Sequence, residues 1–182
     1  MPKSIDDLDV AGKRVLVRGD LNVPMRDNAV TDATRIDRLV PTLTELAGRG
    51  AMVIVMSHFG RPKGKRDPSM SLKPVVGPLR AALGGLDLVF ADDCVGPDAE
   101  AVIAALKPGQ IALLENLRFH PGEEANDPAF AAALAALGDI YVNDAFSTAH
   151  RAHASTEAIA HLLPCAAGRL MQEELAALAS AL

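Results

Sequence analysis

Of the twelve arginines in this chain, Arg18, Arg35, Arg61, Arg118 and Arg151 fall in or beside short segments rich in Gly, Asn, Asp and His. His58, His120, His150 and His153 share those segments, and only His161 stands apart from them. Guanidinium groups bind phosphate or carboxylate through paired, charge-assisted hydrogen bonds, each worth roughly 1.5–3 kcal/mol net. A small molecule bearing both groups would use several of them. Asp20 and Asn22, two residues apart, point the same way in an extended segment and could hold hydroxyl groups. His58 and Arg61 flank Gly60, where the backbone can approach a ligand closely.

Each of these segments follows an apolar run. Arg14–Val17 is a short β-branched run, Ala51–Met56 and Gln110–Leu114 are apolar, and Ile140–Val142 leads into Asn143-Asp144. Wholly apolar runs of this length read as parallel strands covered on both faces. Between them lie helical patterns over 35–48, 72–83, 97–106 and 128–137, and a further strand at 87–90. Pro41 falls inside the first pattern, where it should kink the helix or mark a late start. Strands alternating with helices imply a Rossmann-like, doubly wound parallel α/β sheet, in a single domain. In such a sheet, ligands bind outside the carboxyl ends of the strands. Four strand-end loops therefore converge on one cleft: RGDLNVP, SHFGRPKGKRD, LLENLRFHPGEE and YVNDAFSTAHRAHAST. Arg169–Leu182 reads as a last helix.

Composition excludes several classes. With 49% apolar and 23% charged residues, the 182-residue chain is globular. A net charge of −5 argues against nucleic acid or anionic lipid as a partner, and 3% aromatics argues against base stacking. No apolar run approaches the roughly 18 residues of a membrane span. Two cysteines, Cys94 and Cys165, with no CxxC and no metal-ligand spacing, fit a reducing compartment, and the cytosol is expected. Gly60 to Lys65 imitates a phosphate loop but is one residue short and has Arg66 in place of Ser/Thr; no GxGxxG follows the first strand. His150-x-x-His153 lacks a third firm metal ligand, so no metal site is expected. Glu115, Glu123 and Glu124 read as solvated or ion-paired with Arg118, and His161 as structural.

The four loop motifs, in this order, closely resemble the amino-terminal half of the phosphoglycerate kinases, from Val15 to the terminal helix. The resemblance implies a substrate-binding domain over 1–168 and the start of an interdomain helix over 169–182. It also implies reversible phosphoryl transfer between 1,3-bisphosphoglycerate with ADP and 3-phosphoglycerate with ATP. Carried over, Asp20 and Asn22 hold the hydroxyl and carboxyl end of the glycerate, and Arg35 faces the transferring phosphoryl group as the catalytic residue. His58, Arg61, Arg118 and Arg151 complete the basic patch, supported by Gly60, His150 and His153. The family's Mg-ATP or Mg-ADP site lies in a carboxy-terminal nucleotide domain with no counterpart in these residues. The chain is therefore expected to bind no cofactor, to bind the glycerate phosphate weakly and not to turn over alone. A non-catalytic anion-binding module is the competing reading. The family is monomeric, and an uncovered last helix would favour self-association. Gly19 stands where many members have Val or Ala.

Overall fold

A computed structural model describes residues 2–182. Six parallel strands form the sheet: β1 (Arg14–Arg18), β4 (Met52–Met56), β5 (Leu88–Ala91), β6 (Ile111–Leu114), β7 (Ile140–Asn143) and β8 (Cys165–Ala167). Their spatial order is β5-β6-β4-β1-β7-β8. The register pairs Val15 with Val53 on one side of β1 and with Ile140 on the other. A separate hairpin joins β2 (Met25–Arg26) to β3 (Ala29–Val30). Asp27 and Asn28 form its turn with φ of 51° and 59°. That is the left-handed conformation a two-residue hairpin turn needs.

Side-chain alternation splits the core in two. Val15, Val17, Val53 and Val55 face one side with Leu39, Leu43 and Leu46 of α1 (Thr34–Gly48) and Leu79 of α2 (Val76–Ala82). Leu16, Ile54, Ala112 and Tyr141 face the other, against Ile103 of α3 (Pro97–Ala104) and Leu134 of α5 (Pro128–Ala135). Burial on both faces is why the central strands read as unbroken apolar runs. The expected doubly wound α/β architecture is present.

One local expectation is narrowed and one is corrected. Helix α1 does not start late, since it runs through Pro41. Pro41 and Asp37 are both exposed, so the Asp37 carbonyl that loses its backbone donor faces water. The helix expected over 72–83 opens as a 3-10 turn, Lys73–Val75, before α2 begins. Strand β8, the β2–β3 hairpin and the short helix α4 (Pro121–Glu124) were not anticipated. Among the described residues no helix is long and apolar enough to cross a membrane.

The last helix, α6 (Arg169–Ala181), packs on α1. Arg169 forks between Asp6 at 2.6 Å and Glu45 at 2.7 Å, and Arg38 of α1 meets Glu174 of α6 at 2.8 Å. Beneath them, the fully buried Asp144 Oδ1 accepts from the Met171 amide at 3.1 Å. Any Cβ on Gly168 would lie 2.2 Å from that oxygen. Burial pushes the Asp144 carboxyl up from 3.8 to about 6, and hydrogen bonds from Thr42 and the α6 amides only partly offset this. The folded chain therefore holds this proton more tightly than the unfolded chain. Its contribution to stability falls as pH rises from about 4 to about 6. Asp144→Asn removes that loss, so its stability relative to the parent rises between pH 4 and pH 7 by about 2 kcal/mol. Urea unfolding of both chains at pH 4 and pH 7 measures this, and a pH-independent difference would refute it.

Candidate functional site

The carboxyl ends of β1, β4, β6 and β7 carry the four loops, and tertiary hydrogen bonds lock these loops to one another. The sheet order reverses at β1: the chain moves from β1 to β4 on one side, and only later places β7 on the other. A crevice at such a reversal is where open α/β sheets bind ligands. Across it, Ser147 Oγ donates to Asp20 Oδ2 at 2.6 Å, joining the loops after β7 and β1. Asn22 Oδ1 accepts from the Gly60 amide at 3.0 Å, and Ser57 Oγ accepts from the Leu21 amide at 2.9 Å. Gly19 packs against Leu39, whose Cδ2 lies 2.7 Å from where a Cβ would stand. Leu39 thus occupies the room that a larger side chain at position 19 would need.

The loop after β6 is held by Asn116. Its Oδ1 accepts from the Phe59 amide at 3.1 Å and the Arg118 amide at 3.0 Å, while Nδ2 donates to the carbonyls of Phe59 and Met70. Glu115, 3% exposed, accepts from Ser71 Oγ and from the Leu72 and Asn116 amides. Glu123 is fully buried on Ser155. The expectation of solvated or Arg118-paired glutamates is thus wrong for these two, whose partners are neutral donors, and only Glu124 is exposed.

These loops enclose a cleft of about 300 Å³. Asp20, Asn22, Arg35, His58, Gly60, Arg61, Arg118 and Arg151 all line it, so eight sequence-selected residues meet in one place. Ser147 and Thr148 line it too. Neither was singled out, although both sit inside the small-residue segment before His150. His150 is exposed and outside the lining; His153 is buried, also outside the lining, and its Nδ1 has no partner among the described residues. His120 turns away to pair with Asp93 at 2.7 Å and stack on Phe130.

Four guanidinium groups against one carboxylate make the cleft strongly cationic. Arg35 lies 3.8 Å from Asp20 and donates to the Asn22 carbonyl. Arg118 is buried, donates to the Gly60 carbonyl at 3.2 Å and leaves Nε without a partner among the described residues. Burial, and then repulsion from Arg18 and Arg151 against the pull of Glu124, draw its pKa down. Arg18 is fully buried at the end of β1 and sits 2.9 Å from His58 Nδ1 through Nη2. Arginine can only donate, so Nδ1 accepts and the His58 proton resides on Nε2. Burial first, then Arg18 and Arg118, drive His58 down to about 2. His58 is thus a neutral hydrogen-bond donor and not an acid–base group at physiological pH.

A Rossmann-like α/β domain with a cationic cleft at its strand ends defines the class of this protein. The sequence matches the family model described as "Phosphoglycerate kinase" over residues 5–182. It is 69% identical over 180 residues to the phosphoglycerate kinase of Rhodospirillum centenum, and 62% identical over 181 residues to that of Rhizorhabdus wittichii. Each alignment covers 99% of this chain and 45% of the relative. The solved phosphoglycerate kinase of Coxiella burnetii superposes with a TM-score of 0.89 at 39% identity, covering 100% of this chain and 45% of that one. That of Pyrococcus horikoshii gives 0.86 at 32% identity, covering 97% and 44%. The chain belongs to the phosphoglycerate kinase family. It spans about half the length of the curated relatives it matches.

Because His58 is held neutral, its ring resonances should stay in place between pH 8 and pH 4 when followed by NMR. A titration midpoint above pH 5 would contradict the Arg18–His58 arrangement.

Proposed function

We propose that this chain supplies the 3-phosphoglycerate wall of a cytosolic phosphoglycerate kinase, with 1–168 as the substrate-binding domain and 169–182 as the start of the helix that leads away from it. The carrying observation is the convergence of Arg35, Arg61, Arg118 and Arg151 with a single carboxylate, Asp20, in one cleft. The substrate has a phosphate, a carboxylate and a hydroxyl. The arginines and His58 Nε2–H suit its two anionic ends. Asp20 would repel an anion, so its place is opposite the hydroxyl, beside Asn22. Arg35 faces outward at the rim, where it would meet a phosphoryl group arriving on a nucleotide and neutralise charge on its equatorial oxygens.

The family implies use of a magnesium nucleotide. The cleft offers one carboxylate among four guanidiniums, a donor set that does not fit a hard divalent cation. The work of these residues is to bind, orient and neutralise charge.

Calorimetric titration of the 182-residue chain with 3-phosphoglycerate should show one weak site. Arg118→Ala and Arg151→Ala should each lower its affinity by about tenfold or more, on the charge-assisted bond estimate. Absence of heat and of NMR shifts at millimolar ligand would sink the proposal. With ATP and 3-phosphoglycerate, these residues alone should produce no ADP in a coupled assay. Turnover would show that they also hold the nucleotide.

A further inference from the structure

At the far end of the same sheet edge the chemistry changes sign. The loop after β5 carries Asp93 and Cys94, and the loop after the neighbouring strand β6 ends in His120. One donor atom from each lies within 4.8 Å of the others. Cys94 is fully buried, and its sulfur has no hydrogen-bond partner among the described residues. Asp93 and His120 are each 31% exposed, so the cluster opens to solvent on one side. None of the three lines the arginine cleft.

We propose that Asp93, Cys94 and His120 form a site for a thiophilic divalent cation of the zinc class, with water as the fourth ligand. A thiolate, an imidazole and a carboxylate are the donor set that zinc takes, and calcium or magnesium would not select the sulfur. Metal–ligand bonds of about 2.0–2.3 Å place ligands roughly 3.5 Å apart, so the three side chains need close by only about 1 Å. The frame for that movement is already fixed. The Cys94 amide donates to Asp93 Oδ1 at 2.7 Å, and the His120 ring stacks on Phe130 with centroids 5.3 Å apart. His120 Nε2 now faces Asp93 Oδ1 at 2.7 Å, and the cation would replace that hydrogen bond. Burial, then the carboxylates of Asp93, Glu123 and Glu115, disfavour the free thiolate. A divalent charge offsets that field, and the thiol proton leaves to solvent as the metal–sulfur bond forms.

Cobalt(II) titrated anaerobically into the reduced chain tests this. One equivalent should produce a thiolate-to-cobalt charge-transfer band in the near ultraviolet, with four-coordinate visible bands, all displaced by zinc. Cys94→Ala and His120→Gln should each weaken cobalt binding by tenfold or more, while Cys165→Ser, which removes the exposed thiol, should leave it intact. His120→Gln changes a part-exposed side chain, so it decides the matter if Cys94→Ala fails to fold. The site is refuted if no charge-transfer band forms in the folded chain, if the band survives at parental affinity in either folded ligand variant, or if it is lost in Cys165→Ser.

Discussion

The constraint on which the rest depends is a fully buried cation, Arg18, at the carboxyl end of the central strand. Its side chain is fully enclosed, and an enclosed guanidinium is tolerated only when its donors are met. Nε donates to Ser155 Oγ at 2.9 Å, Nη1 to the Gly19 carbonyl, and Nη2 to His58 Nδ1. Ser155 is itself bound to the buried carboxylate of Glu123. The chain leaving β7 must therefore fold back to present Ser155, and the short helix α4 must present Glu123. Tyr141 Oη, donating to the Ser155 carbonyl at 2.7 Å, fastens that return to the sheet. One charge thus sets the His58 tautomer, the path of the last loop and part of the potential in the cleft.

That potential is costly to hold. Arg118 and His58 are both pulled toward their neutral forms by burial and by neighbouring cations, as expected when positive charge is gathered without enough counter-charge. The cluster cannot relax by swinging apart, because Asn116, Ser57 and Asn22 stitch the loops together through backbone groups. An anion in the cleft would relieve the repulsion and meet donors already in place. Binding energy drawn from preorganised donors is the form of electrostatic stabilisation that needs no rearrangement at the moment of reaction.

Much of this was legible in the sequence, for physical reasons that also explain the gaps. The central strands declare themselves because burial on both faces forces unbroken Val/Ile/Leu runs, and α1 because Ile36, Leu39, Leu43 and Leu46 recur on one face. Strand β8 is hidden: Cys-Ala-Ala has little β preference, and its pairing with Tyr141–Asn143 is wholly tertiary. The β2–β3 hairpin is hidden because each strand has two residues and the turn is Asp-Asn without glycine. Glu115 and Glu123 look solvated in the sequence because most of their donors lie more than thirty residues away, at Ser71, Leu72 and Ser155.

The same contrast separates the residues that line the cleft from those that hold them. An arginine or histidine just after an apolar run announces itself, since few other duties suit a cation there. Ser57, Asn116 and Ser155 look like ordinary loop residues, and yet the positions of His58, Arg118 and Arg18 are theirs to fix. Asp93, Cys94 and His120 meet only because β5 and β6 are neighbours, which no linear spacing records. The backbone offers the same kind of strand end along the whole edge of the sheet. It is the side chains that gather guanidinium groups over one part of that edge and a carboxylate, a thiol and an imidazole over another, so the chemistry is decided loop by loop and not by the fold.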